Sequence, residues 1–444
     1  MLIKNFDQLV SNGHTPELQK KRKDVLEILA AAVKAVDPYR AVQRVFHQNQ
    51  LLLGSQTFDL SLFDRVFAVG FGKASVPMVH AVCDAVLVTE GVAITHDSFA
   101  TVPHQSIEVI VGGHPLPNEG SIQGTEKILN LLERCGDTDC VIVVISGGGS
   151  SLLCKPLVPL VDLRMTVDLL LRSGADISGV NTIRKHLSMV KGGKLVQYTK
   201  ATVFSLIISD IVHDPISSIA SGPTSPDSTT FSEAKAILTR YMLWDRVSES
   251  VRKIIDEGIA GLLPETPKKG NPVFHSVHNF IVANNQLACQ QAMKKALELG
   301  YTSVLVTTAI TGEARNVGQY LLERASKGLS QKNTVFVSGG EPTVTVRGHG
   351  QGGRNQELVL SCVKEIAGTH IVIASMGTDG IDGSSPAAGA LADGGTLSRA
   401  LNKQLDPLLF LKNNDSYTFF SALHDEIFTG PTGTNVMDIQ LILR

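Results

Sequence analysis

The sequence predicts two α/β domains, the first built on a parallel sheet covered on both faces by helices and the second smaller. Three observations carry this expectation. Short β-branched runs alternate with helix-like stretches along the chain, as in parallel sheets buried on both faces. The 444 residues, 43% of them hydrophobic, suffice for about two or three buried cores. Many of the 40 glycines cluster just after the apolar runs, where ligand-binding loops of such sheets lie.

In chain order, residues 17–36 have helical periodicity and a polar opening, and Pro38 ends the pattern. A strand is expected at 64–70, a helix at 73–87, then strands at 91–95 and 107–111. A helix at 119–134, a strand at 140–146, helices at 160–173 and 181–198 and a strand at 202–209 follow. The stretch 261–273, rich in Pro, Gly and charge, reads as a boundary, giving domains 1–270 and 271–444. The second series is expected to open with a strand in HNFIVANN (278–285), then a helix at 285–299, a strand at 302–308 and a helix at 312–328. Strands at 334–338, 371–377 and 416–421 complete it, with a hairpin-like TVTVRGHG between the first two. The two halves share strand-then-glycine punctuation but no fixed period.

Composition narrows the function. Lys and Arg number 40 against 42 Asp and Glu, which lacks the basic footprint of a nucleic-acid partner. The strongest apolar run, 141–145, has strand length, so no membrane partner is expected, and the N-terminus shows no secretory pattern. Six scattered cysteines without a C-x-x-C pair read as core residues of a reducing, cytoplasmic compartment. The thirteen histidines show no H-E-x-x-H spacing, which disfavours a zinc enzyme.

Four loops could carry chemistry. In VFAVGFGKAS (66–75), Gly70 and Gly72 admit close ligand approach, a helix start offers N–H groups to an anion, and Lys73 adds a cation. This is no Walker A loop, and Ser75 replaces the third glycine of the dinucleotide fingerprint. In VIVVISGGGSSLL (141–153), Gly147, Gly148 and Gly149 make a concavity of N–H groups flanked by the hydroxyls of Ser146, Ser150 and Ser151. Such a nest suits phosphate or carboxylate oxygens. G-G-G-S-S is not the G-x-S-x-G elbow of serine hydrolases.

The third region, 181–195, carries Arg184, Lys185, Lys191 and Lys194 and precedes ISDIVHDPISSIASGP (208–223). A basic helix face is often merely solvated, but Asp210 and Asp214 nearby could hold Mg²⁺ or a substrate hydroxyl. The fourth joins SGGEP (338–342), with Gly339, Gly340 and Glu341, to Gly352–Gly353–Arg354–Asn355 at a helix start. There Arg354 could contact phosphate or carboxylate through two parallel N–H bonds. TDGIDG then sets Asp379 and Asp382 among glycines, hard oxygen ligands that fit Mg²⁺ shared with phosphates. Cations, N–H nests and isolated carboxylates at strand ends are the inventory of phosphoryl transfer.

Together these segments resemble the class II glycerate kinases, also called the MOFRL type. VGFGKAS, ISGGGSSLL, NTIRKHLSMVKGGKL, ISDIVHDPISSIASGPTSPD, SGGEPTVTVRGHGQGGRNQE and MGTDGIDGSSPAAGA occur in order over about 66–390, and TGPTGTNVMDI (429–439) also fits. The resemblance implies a Rossmann-like αβα N-terminal domain and a smaller α/β C-terminal domain containing the MOFRL region (about 330–440), with the active site in the cleft between them. It implies phosphorylation of D-glycerate at the 2-hydroxyl by ATP with Mg²⁺ or another divalent cation. Lys73 and Arg354 match basic residues with catalytic or phosphate-binding roles in the family, and Asp379 matches an acidic loop position. Asp379 is expected to act with them in catalysis, and Asp210 and Asp379 are the expected metal ligands, with Asp214 left open. Phosphate and nucleotide contacts are expected from Gly70, Gly72, the 146–151 nest and Gly339–Glu341; substrate contacts are expected from Arg184, Asp210 and Asn355. The competing expectation is a nicotinamide-dependent hydroxypyruvate reductase, with Asp97 placed to bind a ribose. Homodimerisation is left open.

Overall fold

The computed structural model describes residues 1–327 and 333–444. Contacts divide the chain into two units: Pro38–Val282, and Met1–Asp37 together with Ala283–Arg444.

The first unit begins with a small antiparallel sheet of β1 (Phe46–His47), β2 (Gln50–Leu53) and β3 (Gln56–Asp59). Its main sheet holds β4 (Val66–Phe71), β5 (Glu90–Thr95), β6 (Ile107–Val111), β7 (Cys140–Ile145), β8 (Thr202–Ile208) and β9 (Val277–Ala283). The strand order is β6-β5-β4-β7-β8-β9, and the pairings from β6 through β8 are parallel. Counted from β4, this is the doubly wound order 3-2-1-4-5-6, which reverses direction between the first and fourth strands. Every residue of β4 and β7 is buried, as expected of central strands covered on both faces. Phe67, Val69, Phe71, Val141 and Val143 form one core with Ile128, Leu131 and Leu132 of the helix Glu119–Leu132. That helix starts at a capping box in which Asn118 and Ser121 satisfy each other's backbone N–H groups. Phe71 pairs with Ile145, so β4 and β7 end level and their loops leave the sheet side by side.

The second unit holds β10 (Thr302–Ile310), β11 (Thr334–Gly340), β12 (Val372–Gly377), β13 (Gly389–Asp393), β14 (Glu426–Ile427) and β15 (Asp438–Leu443), in the order β10-β11-β15-β12-β13-β14. β10 and β11 are parallel, while β15 runs antiparallel to both β11 and β12. The helices Ala314–Lys327 and Arg354–Cys362 pack against each other, with Leu358, Val359 and Cys362 in the core. The N-terminal helix Pro16–Ala35, whose Thr15 cap accepts from the Leu18 N–H, packs on the helix Asn285–Glu298.

The division therefore departs from 1–270 and 271–444. Residues 1–37 join the C-terminal segment because the helix Pro16–Ala35 buries its apolar face there. The strand expected to open the second series is β9, the sixth strand of the first sheet. The helix expected at 181–198 ends at His186, and the chain turns at Gly192 and Gly193, both with positive φ. Residues 416–421 lie in a helix, Ser416–Leu423, because an aromatic run on a helical face filled a core as readily as a strand would. TVTVRGHG forms no hairpin: Thr343 makes an isolated bridge to Glu313. The helix expected at 312–328 spans Ala314–Lys327, and residue 328 lies outside the described residues.

Arg22 is fully buried in the second unit. Its Nε donates to Asp393 at 2.5 Å and its Nη1 to Asp425 at 2.9 Å and the Leu9 carbonyl at 2.6 Å. Replacing it leaves two buried carboxylates short of a partner. Arg22→Met is expected to lower the unfolding free energy by about 3–5 kcal/mol in urea denaturation; an unchanged midpoint would show that Asp393 and Asp425 do not depend on Arg22.

Candidate active site

In a doubly wound sheet, ligands bind beyond the carboxyl ends of the strands where the order reverses. Here that is the space beyond β4 and β7, and the two loops there are pinned together. The Lys73 N–H donates to the Gly147 carbonyl at 2.8 Å, and the Ala74 N–H donates to Ser146 Oγ at 3.0 Å. Gly72 has φ +126°, and a Cβ there would stand 2.2 Å from Ser146 Oγ, so only glycine lets the loops meet. Gly70 is enclosed within β4, and Ser75, fully buried, donates to the Ile94 carbonyl at 2.9 Å.

The nest opens at Gly147 and Gly148, both partly exposed, whose N–H groups stand outside the backbone hydrogen-bond ladder. Gly148 has φ +82°, and a Cβ there would meet the His114 ring and the Lys73 side chain. A Cβ on Gly147 would lie 2.3 Å from Asp210 Oδ2. Lys73, His114 and Asp210 thus surround one patch of N–H groups that bond to no described residue. Burial pushes the Asp210 carboxyl above its ordinary value, against the pull of Lys73. Burial and the Lys73 charge bring His114 down to about 4, so it is neutral at physiological pH. His96 is its neighbour, with ring centroids 5.9 Å apart.

Behind the nest, Gly149 packs on Ala220, and Ser150 Oγ meets Ser221 Oγ at 3.0 Å. Ser151 donates to the Pro115 carbonyl at 2.6 Å. The supporting loop holds His213, Asp214, Ala220 and Ser221 at positive φ, strain that persists only where surroundings enforce it. Arg184 is partly buried on the same side, near Ser150 and Ser151.

The remaining expected residues lie in the second unit. Gly339 and Gly340 end β11 and are buried, and Glu341 follows them, exposed. Arg354 opens the helix Arg354–Cys362, but its two-bond face is already taken. Nε and Nη2 donate to Asp438 at 2.5 and 2.9 Å, and Nη1 pairs with Glu341 at 3.0 Å. Asn355 is a correction: it is fully buried, donating to Asp382 at 3.2 Å and accepting from Ser375 at 2.5 Å, so it braces the helix start rather than facing a substrate. Asp382 is also no free ligand. It accepts the N–H groups of Asn355 and Gln356 at 3.0 and 2.9 Å, capping the helix in place of Gly353, and burial pushes its pKa up to about 6. Asp379 is partly exposed, accepts from the Ile381 N–H at 3.1 Å, and lies close enough to Asp438 for their charges to interact. Arg354 and Glu341 border a cavity of about 660 Å³ with Pro342, Val344 and Val346 on its apolar side.

The sequence reading missed His114, Asp438 and the cap made by Asp382. GGHPLP after β6 carries the same strand-then-glycine signal as the chosen loops, so His114 was findable. Asp438 starts an ordinary apolar strand and carries no such signal.

A family model described as a domain of unknown function, DUF4147, matches residues 24–256, and the MOFRL family model matches residues 334–438. Glycerate 2-kinase of Pyrococcus horikoshii is 41% identical over 426 residues, covering 94% of this chain and 96% of the relative. An Agrobacterium vitis protein, provisionally named a hydroxypyruvate reductase, is 42% identical, covering 95% and 94%. The crystal structure of glycerate kinase from Thermotoga maritima is similar at a TM-score of 0.85 and 35% identity, over 96% of this chain and 99% of that one.

The His114 ring should titrate by NMR with a midpoint near pH 4. Lys73→Met removes a positive neighbour, which favours the imidazolium form, so the midpoint should rise. A wild-type midpoint near the ordinary 6.5 would remove His114 from the wall of the nest.

Proposed function

Because the chain belongs to the glycerate kinase family built from the DUF4147 and MOFRL domains, we propose that it transfers the γ-phosphoryl group of ATP to the 2-hydroxyl of D-glycerate. The observation that carries the reading is the grouping of Lys73, Asp210 and His114 around the free N–H groups of Gly147 and Gly148. Phosphoryl transfer asks a protein mainly for positioning and for neutralisation of spread charge. The nest and Lys73 supply donors and a cation for phosphate oxygens. A carboxylate raised by burial, Asp210, is the better base for the attacking hydroxyl. In the proposed step the 2-oxygen attacks phosphorus in line, the bond to the ADP oxygen breaks, and the hydroxyl proton passes to that carboxylate.

Among the described residues no three His, Cys, Asp or Glu side chains converge as a metal cage. This fits Mg²⁺, which keeps several waters and takes one or two carboxylates beside substrate phosphates. When bound, the ion would neutralise charge on the phosphate oxygens, and Asp379 is proposed as a carboxylate that holds it. Gly339–Glu341 and Arg354, beside the cavity of about 660 Å³, are proposed for the nucleotide, a volume within the range of small-molecule sites.

The reductase alternative draws on the Agrobacterium vitis relative's name. Against it stands Ser75, whose buried side chain fills the place of the fingerprint's third glycine and donates to Ile94.

With ATP, Mg²⁺ and D-glycerate, product should be read by enolase without added mutase. Lys73→Met should lower kcat/KM by about 10²–10³-fold. Signal only with mutase would move transfer to the 3-hydroxyl, and NADH oxidation by hydroxypyruvate without any phosphoglycerate would overturn the kinase reading.

A further inference from the structure

Behind the nest of the first unit lies a small cavity of about 30 Å³, bordered by Ser150, Ser151, Arg184 and Lys191, with Leu116 and Leu163 on its apolar side. Among the described residues, no acidic side chain borders it. Lys191 is 3% exposed and spends two of its protons on the carbonyls of Ser150 and Leu153, at 2.7 and 2.6 Å. The Arg184 side chain makes no hydrogen bond or ion pair with any described residue. The next buried lysine along the chain shows the contrast: Lys185 is paired with Asp227 at 3.0 Å. Two cations withdrawn from water without a counter-ion are costly unless an anion completes the site. The strain is visible in both groups, since burial lowers Arg184 and, with the Arg184 charge, brings Lys191 down to about 8.

The nest already offers N–H groups and Lys73 to a phosphoryl group. The anion left for the small cavity beside Ser150 and Ser151 is the carboxylate of the acid. Resting on the kinase reading for the identity of the acid, we propose that the Arg184–Lys191 cavity binds the substrate's carboxylate and makes the enzyme selective for a short hydroxy acid over the corresponding alcohol. Ser150 and Ser151 join the cavity to Gly147 and Gly148 within the same turn, so an acid held there presents its hydroxyl carbons to the nest. Arg184 is a binding residue in this account, and Lys191 also holds the short helix Gly149–Leu152 by its carbonyls.

The test uses the full-length protein and two independent readouts. In the coupled assay, Arg184→Met should raise KM for D-glycerate roughly 10–100-fold, the loss expected of hydrogen bonds to a charged group, while KM for ATP stays near wild type. Arg184→Lys should recover part of that loss. A rise in KM for ATP with KM for D-glycerate unchanged would give the cavity to the nucleotide and overturn the inference while leaving the kinase reading intact. Calorimetry without ATP tests the cavity apart from catalysis. Wild type should bind D-glycerate but not glycerol, and Arg184→Met should lose that binding. Wild-type protein that binds neither, or an Arg184→Met variant that binds D-glycerate as wild type does, would overturn the carboxylate site. D-glycerate binding that depends on Arg184, in a protein that yields no phosphoglycerate, would support the site and sink the kinase reading alone.

Discussion

The hydroxyl of Ser146 accepts the Ala74 N–H at 3.0 Å, and the Gly147 carbonyl accepts the Lys73 N–H at 2.8 Å; these two bonds set Lys73 against the glycine nest of the first unit. They fasten the loop leaving β4 to the loop leaving β7, where the strand order reverses. Because Phe71 and Ile145 are in register, the loops begin level, and Gly72 lets them touch. Lys73 is thereby fixed at its backbone while its side chain remains exposed, which suits a cation that follows a phosphate. The cost of preorganisation is met during folding rather than at each binding event.

Electrostatics in the two units run in opposite directions. In the first, Arg184 and Lys191 are withdrawn from water with no carboxylate beside them, and Lys73 faces a nest of N–H groups. That arrangement is incomplete without an anion. In the second, Arg354 is surrounded by carboxylates, with Asp438 on its two-bond face and Glu341 on the remaining edge. A guanidinium so held is oriented rather than free, and a ligand reaching it competes with Glu341, the exposed partner, rather than with fully buried Asp438. Asp382 completes this orientation by capping the helix from which Arg354 projects.

Strain concentrates in the same place as function. His213, Asp214, Ala220 and Ser221 are non-glycine residues at positive φ, each costing on the order of 1–3 kcal/mol. They lie in the loop after β8 that brings Asp210 to Gly147 and Ser221 to Ser150. Packing of Ile219 and Ala220 in the main core holds the loop in that shape.

By itself the sequence determined the α/β class, most strands of the first sheet and the glycine loops that carry the chemistry, because these are local properties. A run such as VIVVI, five residues long and β-branched, has the length and composition of a buried strand, and three successive glycines after it have few structural uses. The same local reading failed where neighbours distant in sequence decide. Residues 1–37 joined the C-terminal segment, and the strand at 277–283 joined the first sheet, because apolar faces settle on whichever partner buries them. His114 came to the nest from β6, and Asp438 to Arg354 from the last strand, across 84 residues of chain. Asn355, polar and set in a glycine-rich loop, had the composition of a ligand-binding residue, but only the tertiary structure could show both ends of its amide already spent on Asp382 and Ser375. Residue type and spacing fix what a side chain is able to do; which partner has already claimed it is decided by the fold.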